Sequence, residues 1–353
     1  MQKNSTSADE LAKDLSQFIP VTQIFRDEPM AQHCTFRTGG NADLFIRVNR
    51  TEELRSALSV LRQAGKPYFL LGRGSNVLVS DSGYRGAIVT MVPETGKDNE
   101  FSRIEVLEDT AKQQEPGPSG ETEKTDTAAA GNGADRGYRR IRAGAGAFLS
   151  ALSFAARDHS LTGLEFACGI PGSVGGGLRM NAGAYGGEIR QTVESAELLL
   201  PDGTIRNFSG EEMQFGYRTS ILKTDGAAAL GAIFRLLPGN REEIQAKIDD
   251  YSARRRSKQP LEYPSAGSTF KRPEGHFAGQ LIGEAGLRGF RIGNAGISEK
   301  HCGFVINYGG ASASEVYSVI REVQRRVYGN SGVKLEPEVI LLGEFAEEPG
   351  REA

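Results

Sequence analysis

The run Gly169-Ile170-Pro171-Gly172-Ser173-Val174-Gly175-Gly176-Gly177, followed by Asn181-Ala182-Gly183-Ala184-Tyr185-Gly186, constrains this chain more than any other stretch. Glycines at this density let backbone N–H groups approach a bound group with no Cβ in the way. Consecutive N–H groups in such turns form concave nests that hold phosphate. A second loop, Gly72-Arg73-Gly74-Ser75-Asn76-Val77, has the same character. Two such loops, far apart in sequence, predict a large diphosphate cofactor held between segments. A Rossmann reading fails, because Gly72-x-Gly74 and Gly144-x-Gly146 lack the third glycine at the required offset.

Composition narrows the class. A net charge of -3 over 353 residues argues against a nucleic-acid surface, which is normally basic. The length allows two or three domains at roughly 100–200 residues each. Cys34, Cys168 and Cys302 have no zinc-ligand spacing, and an odd count argues against a full disulfide set. A reducing cytoplasm fits best. The first twenty residues are polar and charged, with no apolar signal core. No run approaches the roughly 18 apolar residues of a membrane span. The expectation is a cytoplasmic monomer with no metal, no nucleic-acid partner and no membrane partner.

Periodicity gives a mixed α+β class. Ala42, Leu44, Ile46 and Val48 alternate onto one face and predict a strand. Thr51 is expected to cap a helix that carries Leu54, Leu58 and Leu61 and stops at Gly65. Residues 68–71 read as a short buried strand feeding the first glycine loop, and 86–92 as another. Residues 109–136 are too polar and glycine-rich to order themselves. They read as a disordered insertion between strands at 101–107 and 138–143. Phe148, Leu149, Leu152 and Ala156 share a helical face, and Pro201-Asp202-Gly203 turns a hairpin. Residues 230–237 read as a further strand. After Pro238-Gly239-Asn240 a basic helix turns Ile244, Ile248 and Tyr251 inward. Ser312 and Glu315 form a capping box, ahead of an apolar stripe expected to end at Gly329. A strand at 339–342 closes the chain.

Three further places look chemical. Arg218 stands in Phe215-Gly216-Tyr217-Arg218-Thr219-Ser220. Ser268 follows Gly267 beside Lys271 and Arg272, and Glu338 opens the final strand. Taken singly, each reads as structural: a salt-bridged arginine, a turn serine, a solvated glutamate. Arg254-Arg255-Arg256 is most simply a solvated helix end that complements the helix dipole. Its functional alternative is attraction of an anionic substrate.

In combination and in order, these motifs resemble the UDP-N-acetylenolpyruvoylglucosamine reductase family of bacterial cell-wall synthesis. The resemblance runs from about Phe36 to Gly343. It rests on Thr35-Phe36-Arg37-Thr38-Gly39-Gly40, Gly74-Ser75-Asn76, Gly163-Leu164-Glu165, Gly169-Ile170-Pro171-Gly172, Tyr217-Arg218, Ala266-Gly267-Ser268-x-Phe270-Lys271, Ala278-Gly279-Gln280-Leu281-Ile282 and Leu335-x-Pro337-Glu338-Val339. It implies a two-lobed FAD-binding module of the vanillyl-alcohol-oxidase type, with lobes at 17–93 and 94–238. A substrate-binding domain at 239–345 follows. Residues 1–16 read as a mobile tail or fraying helix, and 346–353 as a second tail.

The resemblance also implies a reaction: NADPH-dependent, FAD-mediated reduction of UDP-N-acetylglucosamine enolpyruvate to UDP-N-acetylmuramate. By motif the catalytic residues are Arg218, Ser268 and Glu338. Non-covalent FAD is expected on Gly72, Gly74, Ser75, Asn76, Val77, Gly169, Ile170, Pro171, Gly172, Ser173, Gly175, Gly176, Asn181 and Gly183. Substrate or nicotinamide phosphate is expected on Tyr185, Tyr217, Lys258, Lys271 and His301. Cys302-Gly303 stands where many relatives read Ala-Asn, and Arg272 where some have asparagine. Two other readings share the glycine loops: another flavin oxidase on the same module, and a non-catalytic flavin- or sugar-nucleotide-binding protein.

Overall fold

The computed structural model of the protein describes residues 7–107, 137–223 and 226–346. The expected insertion at 109–136 and all but the first residue of the expected C-terminal tail lie outside these.

Within the expected tail at 1–16 the described residues form a packed helix. In α1 (Ala8–Leu15), Ser7 and Glu10 close a reciprocal capping box. Leu11, Ala12 and Leu15 are buried, and the helix packs against α2 (Thr51–Gln63) and the strand Asn41–Arg47. One short apolar seam at i, i+1 and i+4 is enough to dock two turns. Thr51 does not cap α2; Arg50 holds the cap position and makes no side-chain cap bond. The Glu100 carboxylate serves instead, accepting from Thr51 N at 3.1 Å and Thr51 Oγ1 at 2.6 Å. A carboxylate there complements the positive end of the helix.

Four strands form the first sheet, in the order Ile24–Pro29, Asn41–Arg47, Tyr84–Thr90, Tyr68–Leu70. The last three run parallel. A register shift between Ala42 and Leu44 sends Ala42 to the face opposite Leu44 and Ile46, so the expected four-residue alternation breaks. Leu44, Ile46, Ala87 and Val89 face one hydrophobic core, and Ala42, Phe45 and Ile88 face another.

The first core continues into a second sheet built on Val193–Leu199, Ala228–Pro238 and Arg139–Gly144, with Ile205–Ser209 and Ile104–Leu107 at its edges. Helices α3 (Leu149–Asp158) and α4 (Val174–Met180) belong to this half, and α5 (Arg241–Lys258) packs against α3. The second core gathers α6 (Ala278–Glu284), α7 (Ala313–Ser331) and a small sheet over Arg291–Ile292, Ala295–Ile297 and Val305–Asn307. Ile340–Leu342 pairs in parallel with Val77–Val79, so the end of the chain is stitched to the first glycine loop. Helix α7 runs through Gly329 to Ser331, because Gly332 at φ 70° supplies the left-handed cap.

Candidate active site

The strand Tyr68–Leu70 runs out into the loop 72–76. The loop is fixed by its neighbours: Thr35 N donates to Gly74 O at 3.0 Å. A Cβ on Gly74, which has φ +63°, would fall 1.9 Å from His33 O. Only glycine fits that position. Among the described residues, no backbone N–H from Gly72 to Asn76 has a hydrogen-bond acceptor. Buried or cleft-lining donors are rarely left so, and an unbroken run of them suits an anion.

The two glycine loops meet. A Cβ on Gly72 would stand 2.6 Å from Ser173 Oγ. Ser173 caps α4 through its hydroxyl, which accepts from Gly176 N at 3.3 Å. Leu149 N donates to Gly172 O and Val174 N to Ala147 O, pinning this loop to the start of α3. The N–H groups of Gly172 and Ser173 have no acceptor among the described residues.

Between the loops lies a cleft with about 1170 Å³ of empty space, its solvent-open mouth included. Of the expected cofactor residues, Gly72, Gly74, Ser75, Asn76, Val77, Ile170, Pro171, Gly172, Ser173, Gly176 and Gly183 line it. Gly175 instead lines an adjoining pocket, and Gly169 lies against the Arg255 side chain. Asn181 is buried behind the wall, as the left-handed cap of α4. Its Nδ2 donates to Gly216 O and Glu188 Oε2, both at 3.0 Å, and its Oδ1 accepts from Arg190 N.

That bond from Asn181 anchors the tight turn Gly216–Thr219, in which Arg218 sits at φ +55°. Arg218 Nε donates to Glu338 Oε1 at 2.7 Å, and both line the cleft. Glu338 is held by its backbone: its N–H donates to Thr269 O, and Asn76 Nδ2 donates to its carbonyl at 3.1 Å. Burial pushes the Glu338 carboxyl above its ordinary value, against the pull of Arg218, Lys223 and Lys271. Ser268 lines the same end, with its hydroxyl free of any partner among the described residues. The next residue, Thr269, is buried and fixed by Gly303 O and Val305 N. The structure therefore brings Arg218, Ser268 and Glu338 together in the cleft that the glycine loops line.

The five expected substrate residues do not line the cleft. Tyr217 is exposed, and its hydroxyl accepts from Arg272 N at 3.0 Å. Lys271 pairs outward with Glu336 at 2.7 Å. Tyr185 stacks on Tyr251 with ring centroids 4.6 Å apart. His301 has its pKa lowered by burial, and its Nδ1 accepts from Gly303 N. Lys258 is exposed on α5, while Arg255 and Gln259 of the same segment reach the cleft. The sequence carries no sign of Arg179 and Gln259 as wall residues, and it offers Arg255 only within a basic run whose functional alternative is attraction of an anion. The basic run at 254–256 was the available signal for Arg255, since one turn of a helix can turn a single member of a triplet inward.

The comparisons with known proteins bear on this geometry. Residues 259–342, which carry Ser268 and Glu338, match the model of the UDP-N-acetylenolpyruvoylglucosamine reductase C-terminal domain. Residues 131–209, which carry the second glycine loop, match an FAD binding domain. The reductase of that name from Agathobacter rectalis is 44% identical over 94% of this chain and 98% of its own. The one from Staphylococcus aureus is 38% identical over 96% and 98%. The chain belongs to the UDP-N-acetylenolpyruvoylglucosamine reductase family. The crystal structure of the Thermus caldophilus member superposes with a TM-score of 0.68 at 31% identity, covering 91% of this chain and 98% of that one. The α+β architecture of FAD-binding module plus C-terminal domain is thus that of the family. FAD fits the residues present: unengaged N–H donors on both loops, and a glycine at 72 whose Cβ would press on Ser173 of the facing loop.

Proposed function

We propose that the protein reduces UDP-N-acetylglucosamine enolpyruvate to UDP-N-acetylmuramate, with FAD as bound cofactor and NADPH as reductant, in peptidoglycan precursor synthesis. The observation that carries this is a single cleft with anion-ready N–H groups on its glycine loops and the Arg218–Glu338 pair beside Ser268. The chemistry FAD supplies when bound is relay of a hydride from the nicotinamide to the enolpyruvyl group.

The chain's own residues do the rest. The N–H groups of 72–76 and 172–173 hold the cofactor's phosphates. Arg218 binds the substrate carboxylate and offsets the charge that builds beside it as the terminal carbon is reduced. A preorganised donor of this kind is typically worth on the order of 10²–10³ in rate. The neighbouring carbon then takes a proton from Ser268 Oγ. A hydroxyl is a weak acid, but the carbon is strongly basic, so reach decides more than acidity. Ser268 is exposed and regains its proton from water. Glu338 holds Arg218 in place through its charged hydrogen bond.

Cys34, Cys168 and Cys302 are buried free thiols, which supports a reducing compartment, the cytoplasm. The test is optical. The purified protein should be yellow, lose its colour with NADPH without oxygen, and regain it when the UDP-enolpyruvyl sugar is added. A colourless protein, or one reoxidised by oxygen alone, would sink this reading.

A further inference from the structure

Arg179, a wall residue of the cleft, has no role in the chemistry described so far. It sits near the end of α4 and lines both the cleft and the adjoining cavity, together with Gly72, Ser173 and Gly176. Its guanidinium donates through one terminal nitrogen to Leu222 O. Its Nε is buried with no partner, and it forms no ion pair among the described residues. Lys223, another cation, stands close enough to feel its charge. Burial lowers the pKa of Arg179 itself.

A buried charge left uncompensated is among the costlier features a fold can carry. Two other arginines of the cleft have partners, whereas Arg255, like Arg179, forms no ion pair among the described residues. Arg218 has Glu338, and the Arg73 guanidinium lies 4.1 Å from the Phe148 ring centroid. Among the described residues Arg179 has only a carbonyl. It stands where the unengaged N–H run begins at Gly72, so a group bound there meets neutral donors on one side and a full positive charge on the other. Guanidinium matches phosphate as a planar fork.

Resting on the proposed flavin chemistry, we propose that Arg179 is the counter-charge for the diphosphate of the bound dinucleotide. It makes the glycine cradle selective for a phosphate-bearing ligand over a neutral one. In this arrangement the backbone donors shape the cradle and Arg179 supplies most of its charge. The ligand neutralises a cation that has no ion pair among the described residues.

The experiment measures binding, not turnover. Apoprotein is titrated with FAD, ADP and adenosine, for the parent, Arg179→Met and Arg179→Lys. The Met variant should bind FAD and ADP on the order of 10–100-fold more weakly and adenosine as before, because a charge-assisted bond is lost and nothing else. The Lys variant should recover part of the loss and steepen with salt. Arg179→Met apoprotein should also melt no lower than the parent apoprotein, since an uncompensated charge has gone. Unchanged FAD and ADP affinities would overturn the proposal. So would an equal loss for adenosine, which would make Arg179 a scaffold residue. If Arg179→Met does not fold, Arg179→Lys alone decides, by whether its ADP affinity falls relative to adenosine. A parent protein that takes up no FAD would fail the proposed function instead.

Discussion

Ser268 owes its position to its neighbours. Gly267 at φ +74° turns the chain, and buried Thr269 ties the next residue to Gly303 and Val305. The hydroxyl is thus held still while remaining unengaged. Ser268→Ala should keep FAD and let NADPH bleach it at the parent rate. Recovery of colour with the enolpyruvyl sugar should slow by roughly 10²–10⁴, the usual weight of a positioned proton donor. Anaerobic stopped-flow absorbance separates the two half-reactions, and normal recovery would remove Ser268 from its role. Glu338 makes a different prediction. Burial holds its folded pKa above the unfolded one, so folding favours the protonated form. Its contribution to stability is complete below the ordinary glutamate range and is lost as pH rises through the raised value. Melting curves across that window should fall less steeply for Glu338→Gln than for the parent; parallel curves would mean another group is responsible.

Helix α7 shows how far an element can be read from residues alone. Ser312, Glu315 and the stripe Val316, Val319, Ile320, Val323, Val327 announce it, and all five stripe residues are buried. Its ending is less legible, since Gly329 and Gly332 are equal candidates until backbone geometry selects the second. Helix α1 reads no more firmly than as a tail or fraying helix because two turns carry too little periodicity, and the bulge near Ala42 escapes because register is a property of the strand pair. The same division holds at the site. The glycine loops are visible as composition, and Arg218, Ser268 and Glu338 become visible through the order of their motifs. Arg179 is invisible, and the run 254–256 does not say which member turns inward, because a buried cation and a solvated one are the same letter. Within α7, Glu322 accepts from Arg325 and Arg326 and its pKa falls from 4.5 to about 2. A depressed carboxyl gives stability that is present above 4.5 and lost as pH falls toward 2. Glu322→Gln should therefore cost about 1 kcal/mol near neutrality, in keeping with helix ion pairs that are partly screened. Denaturant titrations at neutral and acid pH check both halves, and an equal cost at both would refute the ionic origin.

At the scale of the molecule, the family's C-terminal segment is not a separable attachment. The first sheet is shared, with one face in each core. Ile340–Leu342 completes the pairing of Val77–Val79, and Ser80 N donates onward to Leu342 O at 2.9 Å. Asp81 caps α7 from the other side of the sequence, accepting from Ala313 N at 2.7 Å and from Ser314 N and Oγ. Burial works against the Asp81 carboxylate, yet the bonds from Ser314 and Ala313 hold its pKa below the ordinary value. Removing everything after residue 258 would strip these partners and expose Met30, Phe45, Leu78, Val79 and Ile88, all now buried. Each such side chain is worth about 1.5–3 kcal/mol on burial. Together they rival the roughly 5–15 kcal/mol that stabilises a typical domain. The full chain should accordingly unfold in one transition, with far-UV and near-UV circular dichroism coinciding. A chain ending at residue 258 should show no cooperative melt. A truncated protein that melts sharply and still binds FAD would show that the cofactor module folds without the second core, and the shared sheet would then be a contact surface between domains rather than the centre of one folding unit.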